Sequence, residues 1–447
     1  MHYRLKSLSL ATATLLLSLT SPLVPLTLKF EPLVAQAQTI QDREAEAENL
    51  KLRGDQQVRE GQFQDALLIY QQALAIFIEV NAQSDVAITL NNIGTVYWNL
   101  GHYFQSLNYY QQALNTASEE KSKQVVVLNN IGVVYKSQGQ YYKALDFYHQ
   151  ALSSIDTREG LRADFLTGIT RNNIGEVYRN LGEYSQAIHY YKAAMSSFGG
   201  GLYAVSYTDA TTALIISFNF SPSAVNSCPA YIWGCLETGM AASVHNLGVV
   251  YTELGQFSQA LEFYEDALAI RREIGDKLGE GATLNNIGLV YYKQGQASQA
   301  LELYQQALAV RRVAGDRTGI GTTLNNIGLI YDQLGNPSQG LKPLQQALRI
   351  FRDLGDRAGE GNTLDSLGTV YASLGRYPQS LEFYQQALAI EREVGNRAIE
   401  QITLSNIGSL FEKQNQPELA IVFYKQSVNV TEAIRKDLRV LPKEQQQ

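Results

Sequence analysis

The sequence predicts an all-α protein, a right-handed superhelical solenoid of nine helix pairs interrupted once by a non-helical insertion. Three observations predict it. A pentad recurs every 40 residues, at Leu284-Asn285-Asn286-Ile287-Gly288, Leu324-Asn325-Asn326-Ile327-Gly328, Leu364-Asp365-Ser366-Leu367-Gly368 and Leu404-Ser405-Asn406-Ile407-Gly408. Within each unit the apolar residues fall three and four apart, the period of one helix face. Glycines stand at fixed offsets where the chain has to reverse.

The chain opens on a targeting segment, residues 1–37. Arg4 and Lys6 precede an apolar run from Leu8 to Thr20, and Ala35-Gln36-Ala37 offers a small-x-small cleavage site. Cleavage and retention as a membrane anchor both remain open, since residues 8–28 are long enough to span a bilayer despite Pro22 and Pro25. Either way the cationic end stays inside and the repeats are exported, to a periplasmic, luminal or secreted location.

Repeats one to four occupy residues 38–198, and repeats five to nine residues 241–430. The pentad glycine falls at Gly54, Gly94, Gly132, Gly175 and Gly248 before the four pentads above, which makes nine units. Three residues on stands an aromatic, as at Tyr97, Tyr291 and Phe411. Seven on stands a second glycine, from Gly61 to Gly375, with Asn415 the exception. Twelve on is a small residue such as Ala66, Ser106 or Ala300, and sixteen on is Tyr304 or its equivalent. Leu284, Ile287, Gly288 and Tyr291 make one helix face; Ala300, Leu301, Tyr304, Ala307 and Leu308 make a second. Gly295-Gln296 between them permits only a tight reversal, so the helices are antiparallel. Gly288 and Ala300 are small so that the facing helices can approach closely. Gly275-Asp276, Gly315-Asp316, Gly355-Asp356 and Gly395-Asn396 then separate the units, glycine in the left-handed position after one helix and Asp or Asn capping the next. Arg272, Arg312, Arg352 and Arg392 lie in the last turn before these stops, at the negative end of the helix dipole. One helix pair cannot bury both apolar faces alone, so the units stack.

The pattern Leu-x₂-Ile-Gly-x₂-Tyr followed by Ala-x₃-Tyr-x₂-Ala resembles the tetratricopeptide repeat, with Leu where that motif often has Trp and without its closing Pro. The resemblance implies tetratricopeptide-type helix pairs throughout.

Between Gly175 and Gly248 the spacing stretches to 73 residues, which places an insertion at residues 199–240. Gly199-Gly200-Gly201 opens it, and the alternation Tyr203, Val205, Tyr207 and Ile216, Phe218, Phe220 suggests a short β-hairpin. Cys228 and Cys235 are the only cysteines. In an exported chain a disulfide between them is favoured over a metal site, because two cysteines without a nearby histidine cannot complete four ligands. The insertion reads either as an apolar recognition loop or as a flap packed on the solenoid. A polar tail, residues 431–447, closes the chain.

Tests for chemistry return little. The five histidines show no metal spacing, and no nucleophile elbow, phosphate loop or His-Glu-x-x-His occurs. Gly279-x-Gly281 and Gly319-x-Gly321 sit in a helical repeat with no preceding strand, which argues against a phosphate role. No catalytic residue, metal, cofactor or small-molecule substrate is expected, so the protein is not expected to be an enzyme. Net charge is −7, and losing residues 1–37 removes Arg4, Lys6, Lys29 and Glu31 and leaves −9. An acidic chain is a poor partner for nucleic acid. A membrane enters only through an uncleaved N-terminal segment.

The remaining signal is an asparagine two residues before the repeat glycine: Asn92, Asn130, Asn173, Asn246, Asn286, Asn326 and Asn406, with Ser366 the exception. Asparagine is a poor helix former, so its recurrence on a helix needs a reason. An amide carries both donor and acceptor and can pair with the backbone of an extended peptide. The row resembles the concave asparagine ladders of kinesin light chains and of the repeat arrays in sugar-transferring enzymes, and that resemblance implies that the seven asparagines bind peptide. The alternative is that each amide bonds a neighbouring repeat and stabilises the stack.

The 40-residue unit with its link Gly355 to Glu360 also resembles the repeat region of cyanobacterial proteins that carry a caspase-like CHAT domain, and the polarity scaffolds of animal cells. The stretch at Ala35-Gln36-Ala37 and the tail from Glu432 to Pro442 resemble the flanks of those repeats. The catalytic domain of that family does not follow the repeats here, so no peptidase activity carries over. The expected function is a non-enzymatic protein-protein interaction scaffold that binds a peptide or partner helix on its concave face. The alternative is a sensor or regulatory subunit of a split CHAT-type protease system on a separate chain.

Overall fold

Each predicted unit folds into two antiparallel helices. The computed structural model describes residues 27–117, 120–199 and 232–439, and all of its regular structure is helical. The first four pairs are α1 (Thr27–Arg59) with α2 (Phe63–Glu79), α3 (Gln83–Asn99) with α4 (Tyr103–Thr116), α5 (Lys121–Ser137) with α6 (Tyr141–Ser154), and α7 (Leu161–Asn180) with α8 (Tyr184–Gly199). The other five are α9 (Ile232–Glu253) with α10 (Phe257–Glu273), α11 (Lys277–Lys293) with α12 (Ala297–Ala314), α13 (Arg317–Gln333) with α14 (Pro337–Leu354), α15 (Arg357–Ser373) with α16 (Tyr377–Val394), and α17 (Arg397–Lys413) with α18 (Pro417–Arg439). One short 3₁₀ turn, Thr157–Glu159, precedes α7.

The reversals follow from backbone sterics. The glycine seven residues after the pentad glycine has positive φ in every pair that has one, from Gly61 at +75° to Gly375 at +70°, and Asn415 takes the same conformation at +54°. Asparagine is the residue that best tolerates that region after glycine. At the links, Asp276, Asp316 and Asp356 accept the backbone N–H three residues on at 2.8–2.9 Å, and Asn396 accepts that of Ile399 at 3.3 Å. The last-turn arginines do more than face a dipole, since Arg272, Arg352 and Arg392 donate to Glu280, Glu360 and Glu400 of the following helix.

The pentad glycine is small for a reason that refines the sequence reading. A Cβ on Gly132 would lie 2.4 Å from the Tyr148 ring, on Gly248 2.7 Å from Tyr264, and on Gly288 2.9 Å from Tyr304. The aromatic ring sixteen residues on therefore lies flat against bare backbone. Burying such a ring is worth on the order of 1.5–3 kcal/mol. In the seventh pair the ring is replaced by Leu344, and there the backbones do close up, with Gly340 packed on the carbonyl of Gly328. A second contact joins the two helices of most pairs through stacked aromatics, as in Tyr97 with Tyr109 (5.3 Å between centroids) and Tyr371 with Phe383 (5.1 Å).

Successive first helices from α3 to α17 pack on one another, and no two successive second helices do so to a comparable extent. The first helices are thus crowded on the inside of a curve and the second helices spread on its outside. The curve comes round on itself. Gly61, in the turn of the first pair, packs against Leu354 at the end of α14, and Tyr103 at the start of α4 senses the carboxylate of Asp356. Burial there pushes the Asp356 carboxyl up.

Three boundaries differ from expectation. α1 starts at Thr27 and runs through Ala35–Ala37, so the first helix crosses the boundary drawn at residue 37. α9 begins at Ile232, which places the last nine residues of the segment read as non-helical in a helix; Leu236 and Met240 pack on Phe165 and Phe198 and pull that stretch into the stack. Helix α18 extends to Arg439, into the segment read as tail. The apolar run at residues 8–20, the hairpin at residues 203–220, Cys228 and the side chain of Cys235 lie outside the described residues.

Candidate functional site

The asparagines predicted from the repeat lie where successive first helices meet, and their amides point along the stack. Asn130 Nδ2 donates to Asn91 Oδ1 at 2.8 Å, Asn173 to Asn129 at 3.0 Å, Asn246 to Asn172 at 3.1 Å, and Asn326 to Asn285 at 3.1 Å. In each case the acceptor is the residue three before the glycine of the preceding repeat. Elsewhere the acceptor changes and the geometry does not. Asn286 bonds His245 Nε2 at 2.9 Å, and Asn406 donates to both oxygens of Asp365 at 3.1 Å. Asn92, at the start, departs from the pattern and reaches Asp55, the residue after the preceding repeat's glycine, at 3.3 Å.

A neutral imidazole that accepts at Nε2 carries its proton on Nδ1, which lies 3.2 Å from Thr283 Oγ1. Burial, then the nearby Arg271, Arg311 and Arg179, hold the His245 pKa well below its ordinary value, so the ring stays neutral. Ser366 interrupts the row. Its hydroxyl turns back to the Asn362 carbonyl at 3.0 Å, and Asn325 Oδ1 in the preceding repeat is left buried with no hydrogen bond.

The ladder lies at two depths. Asn92, Asn173 and Asn246 are buried, whereas Asn130, Asn286, Asn326 and Asn406 are half-buried. The acceptor row was visible in the sequence as the first residue of each Asn-Asn pair, and pairing offsets of 39 to 41 residues would have found it.

A second row crosses the same inner wall one turn along the first helices. Lys136 pairs with Glu176 at 2.5 Å and Arg179 with Glu253 at 2.6 Å, so the charges of the N-terminal half neutralise each other. Val249, Leu289 and Leu329 then stand one residue after their glycines, all half-buried. Toward the C-terminus the row turns acidic, with Asp332 and Glu412 four residues after their glycines.

One structural position escaped the sequence reading. The residue 23 after the pentad glycine is buried at every joint but the third, where Ile155 is half-buried; from the fourth joint on it is Phe198, Arg271, Arg311, Phe351 and Glu391. Glycines make room for it. A Cβ on Gly168 or Gly239 would sit 2.5 Å from the Phe198 ring, on Gly279 2.6 Å from Arg271, and on Gly321 2.8 Å from Phe351. The Gly-x-Gly pairs at 279–281 and 319–321 are therefore packing clearances. Arg271 and Arg311 donate to Thr283 and Thr323, and to the carbonyls of Gly279 and Gly319. Glu391 stands in the same slot and accepts from Thr403 at 2.8 Å, with its other oxygen, Oε2, buried and unbonded. Burial, with Asp365 close by, raises the Glu391 carboxyl to about 7. Among the described residues no group of three or more His, Cys, Asp or Glu side chains could hold a metal ion.

Paired helices stacked in register, with an inner wall built from equivalent positions, define a helical-repeat scaffold. The chain belongs to the tetratricopeptide repeat family, whose pattern matches residues 43–119, 85–156, 123–198, 239–312, 280–353, 319–393 and 359–433. No curated protein matches the sequence. Among solved structures, the Rap conjugation gene regulator of the plasmid pLS20 in complex with the Phr* peptide is similar at 13% identity, with 86% of this chain and 97% of that chain covered and a TM-score of 0.56. A Rap protein complexed with competence and sporulation factor is similar at 13% identity, 88% and 99% coverage and a TM-score of 0.54. The apo quorum sensor NprR from B. thuringiensis is similar at 15% identity, 85% and 99% coverage and a TM-score of 0.49. At these identities the likeness is one of fold.

Proposed function

We propose that this scaffold is non-enzymatic and binds an extended peptide along its concave inner wall. The observation that carries the reading is the wall of repeats five to seven. Val249, Leu289 and Leu329 form an apolar row beside half-buried amides, which puts apolar surface next to groups that can bond a peptide backbone. Each Nδ2 of the ladder spends one N–H on the preceding repeat, so the ligand-facing contribution falls to the remaining capacity of the four half-buried rungs, Asn130, Asn286, Asn326 and Asn406. The buried rungs Asn92, Asn173 and Asn246 hold the stack. The pLS20 regulator, which has this fold, was solved with a peptide, and that supports the class of ligand. The place of action is outside the cytoplasm; cleavage after Ala37 leaves Gln38 to Arg59 of α1, enough to complete the first pair.

A random decapeptide library with free ends tests the reading. The wild type should enrich a peptide family, and the double variant Leu289→Asp/Leu329→Asp, with unchanged circular dichroism, should lose it. No enrichment by the wild type, or equal enrichment by the variant, would overturn the reading.

A further inference from the structure

We propose that the last three repeats hold a basic group of that peptide, a lysine or arginine side chain or the N-terminal ammonium, against Asp365. This rests on the inner wall being the peptide groove and adds the chemistry of one subsite.

Four carboxylates of the last three repeats, Asp332, Asp365, Glu391 and Glu412, form no ion pair among the described residues, and Asp365 lies close enough to Glu391 to raise its carboxyl. Asp332 accepts from Ser373 Oγ at 3.1 Å, Asp365 from Asn406, and Glu412 from the Tyr424 hydroxyl at 2.7 Å. Behind them Glu391 is 2% exposed and accepts only from Thr403. The same wall neutralises its charges further back, at Lys136–Glu176 and Arg179–Glu253. Arg392, next in sequence to Glu391, is committed to Glu400 at 2.7 Å.

The equivalent joints show what is missing. In repeats five and six the slot behind the ladder is filled from within by a guanidinium, Arg271 or Arg311, and the rung residue beside it is neutral, His245 or Asn285. In repeat eight both signs are inverted: the slot holds Glu391 and the rung holds Asp365, half-buried on the inner wall. Glu391 Oε2 has no hydrogen bond although it is buried, and the Asp365 carboxylate is one of the charges that push the Glu391 carboxyl up. A buried carboxyl beside a second one resists ionising for want of a positive partner, and a cation at Asp365 offsets the negative charge that both would carry. Asp365 already has Asn406 on one side, so the ligand's N–H groups approach from the groove.

The free-ended decapeptide library also tests this subsite. Peptides enriched by the wild type should carry Lys, Arg or a required free amine at one register, and their affinity should fall about 10- to 100-fold in Asp365→Asn, the weight of a charge-assisted bond. Asp365→Asn restores the amide common to other rungs, so the variant should fold, and Glu391→Gln should weaken the same peptides less. Acetylating the N-terminus of an enriched peptide separates the two sources of the cation. Enrichment without a basic preference, or a basic preference that survives in Asp365→Asn, would overturn the subsite while leaving the groove standing. No enrichment at all would remove the groove and the subsite together. Calcium or magnesium chloride titrated alone should give no heat; heat lost in Asp365→Asn would make this an inorganic cation site and overturn the proposal.

Discussion

Asn406 binds both carboxylate oxygens of Asp365, 41 residues earlier, with one nitrogen. The same geometry elsewhere joins two amides, so the ladder is a structural device whose acceptors are interchangeable and whose donor is fixed.

Removing a buried donor should therefore cost more than one hydrogen bond. Asn246→Ala leaves Asn172 Oδ1 without its partner from the next repeat, and urea unfolding should show a loss of roughly 1–3 kcal/mol. Wild-type stability in that variant would mean water replaces the amide.

The broken rung offers the converse test. Ser366→Asn places a donor opposite the unbonded Asn325 Oδ1, in a position that accommodates asparagine in the other repeats. Stability should rise by roughly 0.5–1.5 kcal/mol in the same urea titration. A fall would show that repeat eight cannot take the larger side chain.

Glu391 should make stability depend on pH. Its carboxyl is raised to about 7 in the folded chain from an ordinary 4.5, by burial first and by Asp365 and Glu400 nearby, against Thr403 and Arg392. A raised carboxyl favours the protonated folded state, so its contribution is complete below about 4.5, declines as pH rises and is gone above about 7. Relative to Glu391→Gln, the wild type should lose roughly 1–3 kcal/mol across that window. Parallel pH profiles for the two proteins would reject the assignment.

Packing of the pentad glycine can be probed at Gly132. An added methyl meets the Tyr148 ring at 2.4 Å, so Gly132→Ala should lower stability by roughly 1–3 kcal/mol despite alanine's better helix propensity. Thermal unfolding that is unchanged would show that the ring simply moves.

The insertion makes a chemical prediction. A Cys228–Cys235 bridge closes a short loop worth roughly 2–3 kcal/mol to that segment. Protein isolated from its native compartment and denatured without reductant should titrate no free thiol. Two reactive thiols would exclude the bridge.

The repeat made most of the fold legible, because a period of 40 turns each weak local signal into a ninefold one. Leu284, Ile287, Tyr291 and Ala300 announce two faces, and Gly295 and Gly315 announce the stops. The ladder was legible in its donors but only half in its meaning. Nothing in Asn286 or Asn326 alone says whether the amide faces a ligand or His245 and Asn285, since both uses need the same side chain on the same helix. Arg271, Arg311 and Glu391 were hidden for another reason. Charged residues near a helix end read as solvated surface, and for Arg271 and Arg311 only the clearance provided by Gly279, Gly281 and Gly319 places them inside. The end of the insertion was misread because Leu236 and Met240 gain their partners, Phe165 and Phe198, from the preceding repeat, on the far side of the inserted segment.

The contact of Gly61 with Leu354 changes what kind of folding problem this chain poses. A straight array lets every unit settle against its neighbour, so assembly can start anywhere and stop anywhere. Here the first turn waits for a leucine roughly three hundred residues downstream. Loop closure over that length cannot be an early event, and it can form only after the intervening pairs have set the curvature. The contact between the first and seventh pairs thus gives an otherwise local architecture one long-range step.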